Sequence, residues 1–220
     1  MAKRALIEKR PWLLASLAAA IGFSALRLTT FPELWSIALP GAATGFLALY
    51  AWLQRGGRDG GHLAAMMAVA TLRDLLFQVD LAVSALVFFV YHVLAIALYL
   101  RHPRAHASAT QKAAALAMLL LTPALAWLLP ADRTLAPPVA LYGLALGGMA
   151  SCAWMSAFPR YRVGIGAVLV LASNLLVIAG IGPWMGQPLP DAVAWPLYYV
   201  GQLLITVGVV QTLRSRSAGA

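Results

Sequence analysis

Eight long apolar runs follow one another through this chain, separated by short polar gaps. They cover roughly residues 12–28, 34–53, 62–79, 81–100, 112–129, 136–157, 163–183 and 193–213. A helix needs about 20 mainly apolar residues to cross a bilayer. The pattern therefore predicts an all-α, polytopic membrane bundle of about eight transmembrane helices. Composition agrees: 62% of the residues are hydrophobic and 10% are charged, where soluble domains carry roughly 25% charge. A soluble fold must turn its outside to water and cannot hide this much apolar surface.

The gaps carry helix-breaking residues. Arg55-Gly56-Gly57-Arg58-Asp59-Gly60-Gly61 divides the second run from the third, and Pro130-Ala131-Asp132-Arg133 follows the fifth. Pro137-Pro138 opens the sixth near its first turn, where proline is tolerated. Gly186-Gln187-Pro188-Leu189-Pro190 divides the last two, and a very short connection at Gln78-Val79-Asp80 implies a tight antiparallel pair. The expected organisation is a basic cytoplasmic N-terminus over 1–11, a single transmembrane domain over 12–213 and a cytoplasmic, unstructured tail over 214–220.

Loop charges test the count. With the N-terminus inside, the inside segments hold Lys3, Arg4, Lys9, Arg10, Arg55, Arg58, Arg101, Arg104, Lys112, Arg160, Arg162, Arg214 and Arg216, which is 13 of the 16 Lys and Arg. The outside loops hold Arg133, and Arg27 and Arg73 fall within or at the ends of spans. Glu33, Asp80, Asp132 and Asp191 fall outside, although acids count little in this rule. Adding or removing one span would invert every later loop and destroy the bias. Both termini are thus expected in the cytoplasm, and the chain in a bacterial inner (plasma) membrane. A cleaved signal peptide over 1–28 is the alternative for the first run, but no small-x-small site precedes a polar mature start. The net charge of +9 is spread over the gaps and not along one polar stretch, which argues against nucleic acid and for contacts to lipid headgroups. Cys152 is the only cysteine, so neither an intrachain disulfide nor a thiolate metal site is available.

Polar groups at membrane depth are functional candidates, because burying them in hydrocarbon is costly. Asp74 leads, with an ion pair to an arginine as the structural alternative. Neighbours on a helix point about 100° apart, which makes Arg73 a poor rigid partner. His92 lies near mid-span, and its alternative is a neutral histidine bonded to another helix. Ser173 and Asn174 interrupt the seventh run and read equally as packing groups. Tyr198, Tyr199 and Gln202 stand in the last run, where tyrosines also serve as interface belts, and Tyr142 stands in the sixth. At 1.5 Å per residue, Asp74, Tyr142, Asn174, Tyr199 and Gln202 fall about 7–14 Å below the outer boundary and His92 about 17 Å down. Four helices thus place polar groups in one layer, which suggests a polar cavity opening outward. The chain has no His pair at i, i+4 with an acid, no phosphate loop and no nucleophile elbow. No metal and no cofactor are expected.

These residues occur in an order that resembles the YhhN-like family, the lysoplasmalogenases. The chain has Arg73-Asp74, Phe88 with His92, Pro138-Val139 with Tyr142, Met149-Ala150, Gly166-Ala167 with Leu169, Ser173-Asn174 with Leu176, and Tyr198-Tyr199-Val200-Gly201-Gln202-Leu203-Leu204-Ile205. The likeness runs over about residues 62–210. It implies a membrane hydrolase that cleaves the vinyl ether of a lysoplasmalogen-type lysophospholipid, giving a fatty aldehyde and a glycerophospho-base. It implies Asp74 as the acid, Asn174 and Gln202 placing water, and His92, Tyr142, Ser173, Tyr198 and Tyr199 lining a lipid site. The family's second aspartate is Asn174 here, the glycine before its first aspartate is Arg73, and the tyrosine after its histidine is Ala95. A relative that binds lipid without turnover, and a small transporter, are the other readings; the latter lacks paired broken helices.

The topology makes a direct prediction. A reporter active only in the cytoplasm should work when fused after Ala220 and fail when fused after Asp132. The opposite pattern would overturn the orientation, and the same result at both sites would overturn the span count.

Overall fold

A computed structural model describes residues 10–26 and 32–217. Lys3, Arg4, Lys9, Arg27, Phe31 and the last three residues lie outside the described residues. Eight α-helices follow: α1 Arg10–Leu26, α2 Glu33–Leu53, α3 Gly57–Leu76, α4 Leu81–Leu100, α5 Ala109–Leu128, α6 Ala136–Met155, α7 Ile165–Gly180 and α8 Pro188–Ser217. A 3-10 turn, Arg133–Leu135, leads into α6, and a π-turn, Arg160–Gly164, leads into α7. Among the described residues the only β pairing is an isolated bridge between Pro103 and Ser156. Six helical segments are long and apolar enough to cross a membrane. Of the other two, α1 is shorter, and α3 carries Arg58, Asp59, Arg73 and Asp74. The protein is a multi-pass, all-helical membrane protein.

Local chemistry sets the helix ends. Asp80 Oδ1 accepts from the backbone N–H groups of Ala82 (2.9 Å) and Val83 (3.0 Å), capping α4 directly after the short turn from α3. Ser108 and Gln111 form a reciprocal capping box on α5, which satisfies two of the N–H groups a helix start leaves open. Asp132 Oδ1 accepts from the hydroxyl (2.8 Å) and the backbone N–H (2.9 Å) of Thr134. Those bonds, the hydroxyl's first, hold the Asp132 carboxyl below the usual carboxylate range.

Three boundaries depart from the sequence reading. The third helix starts at Gly57, not near residue 62. Gly57 takes a φ of +66°, the left-handed conformation glycine tolerates, and so reverses the chain in one step. Asp59 then sits in the first turn, favourably placed at the positive end of the helix dipole. The last helix begins at Pro188, because a proline in a first turn has no N–H to leave unbonded. It runs through Ser217, so the expected tail is helical for its first residues. The seventh helix ends at Gly180, where the N–H groups of Gly182 and Trp184 both turn back to the Ala179 carbonyl at 3.0 Å.

The chain divides into two compact units, residues 1–94 with 206–220, and residues 95–205. In the first, α1 packs on α2 and α2 on α3; in the second, α5 packs on α6 and α6 on α7. Small residues make these approaches possible, as expected where van der Waals packing drives helix association in lipid. On α2, a side chain at Gly41 would collide with Leu75 of α3, and one at Gly45 would touch Thr71. On α6, a Cβ at Gly143 would lie 2.5 Å from that of Ala126, and one at Gly147 would lie 2.5 Å from the Met118 carbonyl oxygen. Gly166 of α7 and Gly201 of α8 meet backbone to backbone: a Cβ on either would come within 2.7 Å of the other's carbonyl oxygen.

Gly147→Ala and Gly166→Ala should each cost about 1–3 kcal/mol, because the nearest obstacles are backbone atoms that cannot swing aside. Gly180→Ala, which meets nothing within 4 Å, should be close to neutral. Thermal unfolding of the three variants in one detergent checks the order, and equal midpoints would refute the seam assignment.

Candidate functional site

In the first unit, the α2–α3 seam brings a hydroxyl to a buried acid. Thr44 lies between Gly41 and Gly45, the residues that let α3 approach. Its Oγ1 donates to Asp74 Oδ2 at 2.8 Å, with the Pro40 carbonyl 3.1 Å away. The other carboxylate oxygen of Asp74 accepts from Arg73 Nη1 at 2.7 Å. Both charged side chains are buried, Asp74 at 1% and Arg73 at 6% exposure. The sequence reading discounts this partnership because successive helical residues diverge. The structure corrects it: the long arginine side chain curls back and overcomes the divergence.

α4 completes the surroundings. Ser84 Oγ donates to the Arg73 carbonyl at 3.0 Å, tying α4 to the last turn of α3. The Arg73 guanidinium carbon lies 4.3 Å from the Phe77 ring centroid and 5.0 Å from that of Phe88. A cation over aromatic faces recovers part of the solvation it gave up. One turn beyond Phe88 on the same face is His92, fully buried, with ring centroids 4.5 Å apart. Asp74, Arg73, Phe88 and His92 thus form one continuous buried set within this unit.

The second unit holds the other residues singled out from sequence. Tyr142 of α6 donates its hydroxyl to Asn174 Oδ1 of α7 at 2.6 Å. Asn174 Nδ2 donates to the Val170 carbonyl one turn back on its own helix, at 2.7 Å. The amide is therefore held at both ends. Ser173 Oγ donates to the Ala194 carbonyl at 2.7 Å, joining α7 to α8. Trp195 and Tyr199 stack with centroids 5.5 Å apart and planes 5° from parallel, and Tyr198 and Gln202 are buried. Among the described residues, no three His, Cys, Asp or Glu side chains are grouped to hold a metal ion.

The sequence profile of the YhhN family matches residues 35–209, about four-fifths of the chain. The chain belongs to the YhhN family. No curated protein and no solved structure matches it significantly. The YhhN match contains every polar residue described above, from Thr44 to Gln202, and leaves out all of α1.

Thr44 and Ser84 escape the sequence reading. A threonine or serine in a helix ordinarily bonds its own i−4 carbonyl, so neither stands out alone. The available signal is the Gly-x3-Gly spacing around Thr44, which marks the α2 face a neighbour can approach most closely.

The ion pair predicts a pattern of stabilities. Asp74→Asn or Arg73→Met alone leaves a buried charge without its partner and should cost about 3–5 kcal/mol. The double variant Arg73→Met/Asp74→Asn should cost less than the two singles added together. Thr44→Val, which removes one hydrogen bond to a charged group, should cost about 1.5–3 kcal/mol. Additive losses in a double-mutant cycle would show that the pair is not a coupled unit.

Proposed function

We propose that this YhhN protein is a membrane-embedded hydrolase of the lysoplasmalogenase type, acting on the vinyl ether of a lysophospholipid, with Asp74 as its proton-transfer group. The observation that carries this reading is a buried carboxylate, bonded on one oxygen by Thr44 and on the other by Arg73, in a chain of this family. Buried carboxylates are common instruments of acid chemistry in sites removed from water.

The chemistry needs one proton in circulation. Asp74 in its acid form gives a proton to the β-carbon of the vinyl ether, leaving an oxocarbenium ion and the Asp74 carboxylate. Water adds to the oxocarbenium carbon and loses a proton, which restores Asp74. The resulting hemiacetal collapses to a fatty aldehyde and the glycerophospho-base. Arg73 neighbours the carboxylate that proton donation leaves behind, and charge developing in a dry site is stabilised most effectively by a group already in position. Asn174, in the second unit, is an amide that cannot take a proton from water at neutral pH, so no second acid–base group is assigned. The single aspartate then serves as acid in the first step and base in the second. The family resemblance gives a lipid- or water-holding role to His92 in the first unit and to Tyr142, Ser173, Tyr198, Tyr199 and Gln202 in the second. The proposed setting is a bacterial inner membrane.

A second reading is favoured by a specific observation. Asp74 is ion-paired and the Asn174 amide is bonded within the chain at both ends, as a relative that binds lipid without turnover would tolerate.

Purified protein in nanodiscs should release fatty aldehyde from an alkenyl lysophospholipid. Asp74→Asn should lower the rate by about 10²–10⁴-fold, the range of general acid–base contributions, under conditions where its helical circular dichroism is intact. Asn174→Asp should raise the rate. Absence of aldehyde from several alkenyl lipids, with lipid co-purifying, would decide for the binding protein.

A further inference from the structure

Within the second unit, the α4–α5 and α6–α7 connections are fastened to each other. Arg104 N–H donates to the Met155 carbonyl at 3.0 Å and Ala157 N–H to the His102 carbonyl at 2.7 Å, on either side of the Pro103–Ser156 bridge. Arg104 Nη2 donates to the Phe158 carbonyl at 2.9 Å. The Phe158 ring is fully buried, edge-on to His102 at 5.1 Å and to Tyr99 at 6.2 Å. Two connections that hydropathy reads as separate loops are thus one built structure.

Its charge is one-sided. The joined segments carry Arg101, Arg104, Arg160 and Arg162, with Lys112 in the first turn of α5, and no Asp or Glu. The acids of this unit are Asp132 and Asp191, which lie at the opposite ends of α5 and α7. No carboxylate of these segments can serve as counter-ion, so the fitting partner is an anion from elsewhere.

Three donors lack a partner. Arg104 Nε, Arg160 Nε and Trp154 Nε1 are buried, and none has a hydrogen-bond partner among the described residues. They belong to this one cluster: Arg104 is bonded to the chain at Met155 and Phe158, and the Arg160 guanidinium lies 5.5 Å from the Trp154 ring. Gly164 is tight against both, since a Cβ there would lie only 3.0 Å from Arg160 Cγ and from Trp154 Cε3. Leaving buried donors unbonded is expensive, most of all for charged groups. Arg160 also opens the π-turn, a rare form frequent at functional sites.

We propose that this clasp is a binding site for the phosphate of an anionic phospholipid, with Arg104 and Arg160 supplying charge and the Trp154 indole a neutral donor. Guanidinium forks match phosphate oxygens in geometry as well as charge. A lipid is the fitting source of the phosphate because the site lies at the ends of spanning segments, where Tyr161 is 82% exposed beside it and aromatic side chains favour the headgroup layer. By the loop-charge rule this end faces the cytoplasm, whose leaflet is the anionic one. Binding here does not depend on turnover at Asp74.

Native mass spectrometry of the full-length protein tests it, with phosphatidylglycerol, phosphatidylcholine of the same chains, and soluble glycerol 3-phosphate as probes. Phosphatidylglycerol should bind preferentially, and Arg160→Gln should weaken it about tenfold, the loss of one charge-assisted contact. Arg58→Gln removes an equal but exposed charge from the other unit and should leave binding unchanged. A headgroup-photoreactive phosphatidylglycerol should label residues 101–108 or 154–164 of the unmutated protein, which keeps the test sound if a variant fails to fold. Equal binding of phosphatidylcholine, equal loss in Arg58→Gln, labelling elsewhere, or glycerol 3-phosphate binding as tightly as the lipid would each overturn the assignment.

Discussion

Burying the Arg73 guanidinium and the Asp74 carboxylate carries a desolvation penalty of several kcal/mol for each ion, and the packing of α2, α3 and α4 is arranged around offsetting it. The two charges meet each other, Thr44 bonds the far carboxylate oxygen, and Phe77 and Phe88 lie beside the guanidinium. Each contact demands something of the backbone. Thr44 reaches Asp74 only because Gly41 and Gly45 let α3 close on α2. Phe88 reaches Arg73 only because the short turn at Gln78-Val79-Asp80 folds α4 directly back, with Ser84 bonding the Arg73 carbonyl. α3 also carries four charged residues, which lowers its apolarity below that of its neighbours. Its place in this unit is secured by its partners more than by its own preference for lipid.

At its helix seams the second unit packs closely without charge. The polar side chains there are neutral and bond across or along helices: Tyr142 to Asn174, Asn174 to Val170, Ser173 to Ala194. Such bonds contribute about 0.6–2 kcal/mol each in membrane proteins, so their main effect is to fix register at seams that glycines have already drawn together. Aspartate at position 174 would place an ionisable group where the present amide donates to a backbone carbonyl. A carboxylate has no proton to donate there, so Asp and Asn at this position imply different local bonding and not a simple swap of reactivity.

Much of this is legible in the sequence, because hydrocarbon makes a harsh and simple demand. Run lengths and the bias of Lys and Arg read the helices to within a few residues, and the YhhN resemblance rests on residues that fall inside the matched region. The misreadings share a cause. Gly57 and Pro188 signal breaks by composition, yet each stands at the first turn of a helix, where a left-handed φ or a missing N–H is tolerated. Helix geometry discounts Arg73, but it fixes the direction of Cβ and not where a long side chain ends. Thr44 and the arginine clasp are invisible because each depends on which helix lies opposite, and hydropathy does not say which.

Arg73 also limits what Asp74 can do. With an uncharged residue before the aspartate, the carboxyl would keep its burial and its bond to Thr44 but lose the neighbouring cation. With arginine there, the carboxyl has a fixed cation at 2.7 Å, and any proton it delivers or recovers passes beside that charge. A chain built this way either runs its proton cycle through one aspartate or uses the same buried pair to hold its helices together. On the proposed hydrolase reading Arg73 stays beside the carboxylate that proton donation leaves; on the binding reading the same contacts serve only to hold α2 to α3.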